Sequence, residues 1–154
     1  MKTVIIYYSK HHENTRKLLD AIKAAFPEEI TLIDAASADA AGISASVLDR
    51  YDAVGFASGI YFSKFEKRVL DLAEKCLPDG KNVFFIYTCG AGKKGYTESI
   101  RKAIAGKKAN ILGEYGCKGF DTYGPFKLVG GIAKNHPDSE EVKGAVEFYK
   151  RLCH

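Results

Sequence analysis

With 154 residues the chain has the length of a single domain, residues 1–154, long enough to bury about two-thirds of its unfolded surface without staples. A hydrophobic content of 46%, a charged content of 27% and a net charge of +4 describe an ordinary globular protein. They argue against a collagen-like, disordered or membrane-spanning chain; no apolar run is long enough for membrane insertion, and Met1-Lys2-Thr3 passes into a strand without signal-peptide layout, so the expected location is cytoplasmic. Nucleic acid is not the expected partner, because the lysines are spread along the chain with no basic helix or aromatic RNA-binding motif. Cys76, Cys89, Cys117 and Cys153 are dispersed without Cys-x-x-Cys or a spaced His, which gives neither a zinc site nor a disulfide framework.

Thr3-Val4-Ile5-Ile6-Tyr7-Tyr8 is a short apolar run rich in β-branched and aromatic residues, the pattern of a parallel strand covered on both faces. Leu18, Leu19, Ile22, Ala25 and Phe26 then recur at helical spacing. Between them, Ser9-Lys10-His11-His12-Glu13-Asn14-Thr15 offers hydroxyls, an amide, two imidazoles and the open N–H groups of a helix N-terminus, all suited to a phosphate. The alternative is that Ser9 and Asn14 only cap the helix.

Strands follow at Ile30 to Asp34, Ala53 to Ser58, Asn82 to Thr88 and, interrupted by Gly113 and Gly116, Ala109 to Phe120; Ala35 to Ile43 is an Ala-rich polar connection. Helices are expected over Glu66 to Cys76, from Tyr96 through Ile104, and after Pro137, where Asp138 and Glu141 have capping-box spacing ahead of Val142, Ala145, Val146 and Tyr149. Alternating strands and helices imply right-handed crossovers and a parallel α/β sheet. Five such units predict a three-layer sandwich in the order 2-1-3-4-5, with the ligand crevice at the carboxyl ends of the strands.

A tyrosine-ended first strand followed by Ser-x-His-His-x-Asn-Thr and a helix resembles the flavodoxin family, in its short-chain branch. The resemblance implies FMN as cofactor, with Ser9, Lys10, His11, His12, Asn14 and Thr15 at the phosphate. Glu13 departs from it, because the position before Asn-Thr is usually Gly; a Glu there is disfavoured at positive φ and places a carboxylate near a phosphate dianion.

The segment Ser58-Gly59-Ile60-Tyr61-Phe62 is similar to flavodoxin-like oxidoreductases, including the protoporphyrinogen oxidase branch, and implies a flavin flanked by Tyr61 or Phe62; packing of both rings inside the loop is the alternative. Thr88, Cys89, Gly90, Ala91 and Gly92 correspond to the loop that meets the polar edge of the flavin, where small residues let backbone N–H groups approach. Cys89 reads either as a redox thiol or as a small filler. The long connection from Phe120 to Pro137, with Asp121, Tyr123 and Phe126, reads as a lid or docking loop or as surface disorder. Lys64, Lys93 and Lys94 flank the expected ring site, whereas electron carriers of the family are typically acidic.

Three functions follow: an electron carrier serving a redox partner protein, an FMN oxidoreductase acting on a small molecule in the manner of a protoporphyrinogen oxidase or quinone reductase, or a cofactor-free interaction domain.

Overall fold

The structure is a computed structural model that describes residues 1–10, 12–91, 94–120, 128 and 130–153. Strands β1 (Thr3–Tyr8), β2 (Ile30–Asp34), β3 (Ala53–Tyr61), β5 (Asn82–Cys89) and β6 (Asn110–Lys118) pair in parallel in the order β2-β1-β3-β5-β6. The two-residue β4 (Lys64–Phe65) folds back antiparallel on the end of β3. With this hairpin set aside, the order is the expected 2-1-3-4-5.

Alternating residues of one strand feed two cores, which is why the strands read as unbroken apolar runs. On one face Val4, Ile6, Val54, Phe56, Val83 and Phe85 pack against α2 (Ala45–Leu48), α3 (Lys67–Cys76) and α4 (Glu98–Ala103) through Leu48, Val69, Ala73 and Ile100. On the other, Ile5, Tyr7, Phe84 and Ile86 meet α1 (Asn14–Ala25) and α5 (Ser139–Cys153) through Leu18, Leu19, Ile22, Phe148 and Tyr149. The three layers are thus set by strand alternation against helical stripes. The Asp138/Glu141 capping box forms as read: Glu141 N donates to Asp138 Oδ1 at 2.9 Å and Asp138 N to Glu141 Oε1 at 3.0 Å.

Three departures have local causes. β3 runs three residues past Ser58 because its end is paired by β4. Within the connection read as irregular, Ala38–Gly42 forms a 3₁₀ turn, and α2 follows it with Ser44 Oγ accepting from Val47 N as its cap. β6 runs from Asn110 to Lys118, with a register shift at Gly113, where Val83 pairs with Ile111 and Phe84 with Gly113 so that Leu112 is passed over, and with unbroken pairing through Gly116. A Cβ on Gly116 would stand 2.1 Å from the Tyr87 ring, so that position is glycine to let the aromatic ring lie across the neighbouring strand.

The edge of the sheet carries a charge network of its own. Glu114 accepts from Thr97 Oγ1 at 2.6 Å and from Arg101 at 2.9 Å. Partial burial opposes its charge, but the two hydrogen bonds and the Arg101 charge prevail and hold the carboxyl below its ordinary value. A carboxyl depressed in the folded state stabilises at neutral pH and loses that contribution as pH falls through the folded value. The advantage of the native chain over Glu114→Gln, at most about 1 kcal/mol for so exposed a pair, should therefore be present at neutral pH and vanish in acid; denaturant unfolding at several pH values checks this.

Candidate functional site

At the carboxyl ends of β1, β3 and β5 one pocket gathers Ser9, Asn14, Thr15, Gly59, Ile60, Tyr61, Thr88, Cys89 and Gly90, joined by Gly119 and Phe120. Three sequence-distant segments named as candidates thus converge, and the parallel sheet explains why: strands in one direction deliver their outgoing loops to one edge.

The first wall is the turn into α1. Its entry is left-handed at two successive residues, His12 (φ 58) and Glu13 (φ 54), and Glu13 occupies the N-cap without a capping side chain. Ser9 Oγ takes over that task, accepting from Arg16 N at 3.0 Å, so Ser9 caps the helix while also lining the pocket. The first intrahelical bond runs from Lys17 N to Glu13 O, which leaves the Asn14 and Thr15 N–H groups as open donors of the helix start among the described residues. A left-handed residue followed by a right-handed helix turns successive N–H groups toward one point, a geometry that attracts anions. Lys10 is exposed and Lys10 and His12 lie outside the pocket lining; His11 lies outside the described residues.

The floor is hydroxyl-bearing. Thr15 Oγ1 and Thr88 Oγ1 share a buried hydrogen bond of 2.9 Å, tying the helix start to the end of β5. Cys89 is buried, with its thiol directed to the Cys117 carbonyl at 3.6 Å; beside it, burial pushes the Cys117 thiol up to about 12, so Cys117 stays protonated and inert.

Asn14 is the pivot of the site. Its side chain is 6% exposed, and Nδ2 donates to the Phe120 carbonyl at 2.7 Å. That bond fixes the amide orientation, because a flip would set oxygen against oxygen. Oδ1 is then a buried acceptor with no partner among the described residues. An orphaned acceptor at this depth is costly and points to a missing donor. Gly119 accommodates the arrangement: a Cβ there would fall 2.7 to 2.9 Å from the Asn14 side chain. The Phe120 ring packs on His12 at 4.3 Å between centroids, Gly119 N donates to Cys89 O at 2.9 Å, and Phe120 N donates to His136 O at 2.9 Å. Gly119 and Phe120 are absent from the residues singled out as cofactor ligands in the sequence. The one available signal was the strand ending in Gly-Phe ahead of a long connection.

Of the remaining candidates, Ser58, Ala91 and Phe62 lie outside the pocket lining and Tyr61 within it. Ser58 is turned toward α3, accepting from Glu66 N at 2.9 Å, and Ala91 offers its carbonyl to Tyr96 Oη at 2.7 Å. Tyr61 edges against Tyr8 at 6.3 Å while lining the pocket. Phe62 stands at the β3–β4 tip, 76% exposed, with φ 49, followed by Ser63 with φ 66. Two consecutive positive φ values describe a tight hairpin turn that ordinarily takes Asn and Gly. Gly92, Lys93, Asp121, Tyr123 and Phe126 lie outside the described residues.

His136, Asp138 and Glu141 bring three ligand-type atoms within 4.8 Å. Their carboxylates are already consumed by the α5 cap and by Lys118 N, which donates to Glu141 Oε2 at 3.0 Å, and His136 Nδ1 contacts Glu141. These bonds make the cluster the cap of α5.

Comparison with known proteins agrees with the fold. A protein of Methanocaldococcus jannaschii, itself uncharacterized, is 38% identical over 154 residues, covering 99% of this chain and 98% of that protein. Oxidised flavodoxin 1 from Bacillus cereus superposes with a TM-score of 0.69 at 19% identity, covering 99% of this chain and 97% of that one. General stress protein 14 from Treponema denticola, solved in complex with FMN, superposes with a TM-score of 0.63 at 11% identity, covering 99% of each chain. Residues 4–117 match the model of the flavodoxin domain, and the chain belongs to that family.

Proposed function

We propose that this chain binds FMN in the pocket between α1, β3 and β5 and serves as an electron-transfer protein. The observation that carries the reading is a polar cradle built but not satisfied: the open N–H groups of Asn14 and Thr15, and the buried, partnerless Oδ1 of Asn14. A phosphate needs donors, and a ribityl chain carries hydroxyls that donate, so one ligand meets both demands. The Treponema denticola relative in fold, solved with FMN, supports the same choice.

In this assignment Ser9 Oγ–H, Thr15 and the helix N–H groups hold the phosphate, and Asn14 Oδ1 accepts from the sugar chain. Tyr61 covers the ring, while the backbone of Cys89 and Gly90 meets its polar edge. FMN supplies the one- and two-electron chemistry; the chain binds, orients and sets the electrostatics. The turn lacks the Gly-x-Gly-x-x-Gly spacing that a dinucleotide pyrophosphate requires, which favours FMN over FAD or NAD.

Visible absorption during titration of the purified chain with FMN and, separately, FAD tests the proposal. The expected result is stoichiometric uptake of FMN with a perturbed flavin spectrum and weaker uptake of FAD. A chain that takes up neither is the cofactor-free interaction domain instead.

A further inference from the structure

Tyr61 belongs to two concavities. It closes one side of the pocket between α1, β3 and β5, and it also walls a neighbouring groove of about 730 Å³ bounded by the β3–β4 hairpin and the start of α3. The lining of this groove is mostly aromatic and aliphatic. Tyr8, from the end of β1, meets Tyr61 edge to face, with ring centroids 6.3 Å apart and 70° between the planes. Phe65 is buried, its ring braced against Phe85 at 6.4 Å and Tyr87 at 6.3 Å, so the floor is part of the core. Half-buried Leu70 of α3 completes the apolar surface. A groove of this size with aromatic walls suits a small planar molecule, whose flat faces gain most from contact with rings.

The charged side chains at its rim are not equivalent. Glu66 is occupied by Arg68, whose backbone N–H and Nη1 donate to its carboxylate at 2.7 and 2.6 Å, and Lys67 donates to Asp71 at 2.8 Å. Lys64 is exposed and makes no ion pair among the described residues. It pairs with Tyr61 across the hairpin, and cross-strand partners project to the same face, so its ammonium is carried on the side of the Tyr61 ring. A single unmatched cation beside an aromatic wall is complementary to a single negative charge on a planar ring.

We propose that this groove binds a planar aromatic carboxylate, its ring against Tyr61, Tyr8 and Phe65 and its carboxylate at Lys64. The binding site stands on the lining alone. Its bearing on function, as the seat of a small molecule held next to the flavin, rests on the FMN reading, in which Tyr61 is the wall the two ligands share.

The test is a chemical-shift titration of the isotope-labelled full chain with 2-naphthoate, with 2-naphthylmethanol and 2-naphthylmethylammonium as neutral and cationic ligands on the same ring. Naphthoate shifts should cluster at Tyr8, Tyr61, Lys64 and Leu70, and naphthoate should bind about fivefold tighter than the alcohol, the upper end for an exposed ion pair. Lys64→Gln should erase that preference and Lys64→Glu should hand it to the ammonium, with native shifts elsewhere reporting an intact fold. Absence of binding, shifts centred on Asn14 and Thr88 or spread over other faces, or a preference untouched by either variant overturns the proposal. FMN titration of the same samples reads the cofactor separately. Localised naphthoate shifts in a chain that refuses FMN keep the aromatic-anion site and refute the FMN reading, whereas FMN uptake without localised naphthoate shifts refutes the groove and keeps the cofactor.

Discussion

Replacing Glu13 by Gly is expected to tighten FMN binding about tenfold, ~1.4 kcal/mol. Two causes act together, and two variants separate them. Glu13 holds φ 54 at the N-cap of α1, a left-handed conformation that costs a side-chain-bearing residue roughly 1 to 2 kcal/mol and glycine almost nothing. Its carboxylate also stands in the turn whose N–H groups face the proposed phosphate. Glu13→Gln removes the charge and keeps the strain; Glu13→Gly removes both. Tightening already present in Glu13→Gln assigns the effect to repulsion, whereas tightening confined to Glu13→Gly assigns it to a backbone freer to close on the ligand. The greater unfolded-state entropy of glycine offsets part of the strain relief in thermal stability, so affinity by calorimetry is the decisive reading. Equal affinity in both variants would show that Glu13 points away from the ligand, and weaker affinity would give it a positive role.

The layers and strand order were legible because burial on both faces writes an unmistakable pattern: Val4, Ile5 and Ile6, or Val83 to Ile86, admit no polar residue. Convergence of the three loops followed from topology alone. The β3–β4 hairpin was not legible, since Phe62-Ser63 carries none of the Gly or Asn that normally marks two positive φ values. Asn14 shows a different limit. Its residue type and place were readable, but its bond to the Phe120 carbonyl spans 106 positions, and no local pattern encodes a contact of that range. Hence the sequence assigns Asn14 directly to a phosphate, while the structure gives its amide nitrogen to the chain and leaves its oxygen a buried acceptor without a partner among the described residues.

That division of labour yields the second large effect. Asn14→Ala should weaken FMN binding by roughly 1 to 3 kcal/mol, because it removes both the acceptor offered to the ligand and the donor that holds Phe120 in the pocket wall. Hydrogen exchange distinguishes this role from direct phosphate binding. The Gly119 and Phe120 amides, bonded to Cys89 O and His136 O, should lose protection even in the FMN-free chain. A residue acting only on phosphate would leave that exchange unchanged. Asn14→Asp should be worse than Asn14→Ala, since an ionised carboxylate cannot donate to the Phe120 carbonyl and adds negative charge beside the phosphate. Gly119→Ala, whose added methyl would meet the Asn14 side chain at 2.7 Å, should reproduce the Asn14→Ala phenotype from the opposite side of the contact. Native FMN affinity with native exchange in Asn14→Ala would remove Asn14 from the site; weakened FMN binding with native exchange would return it to the phosphate.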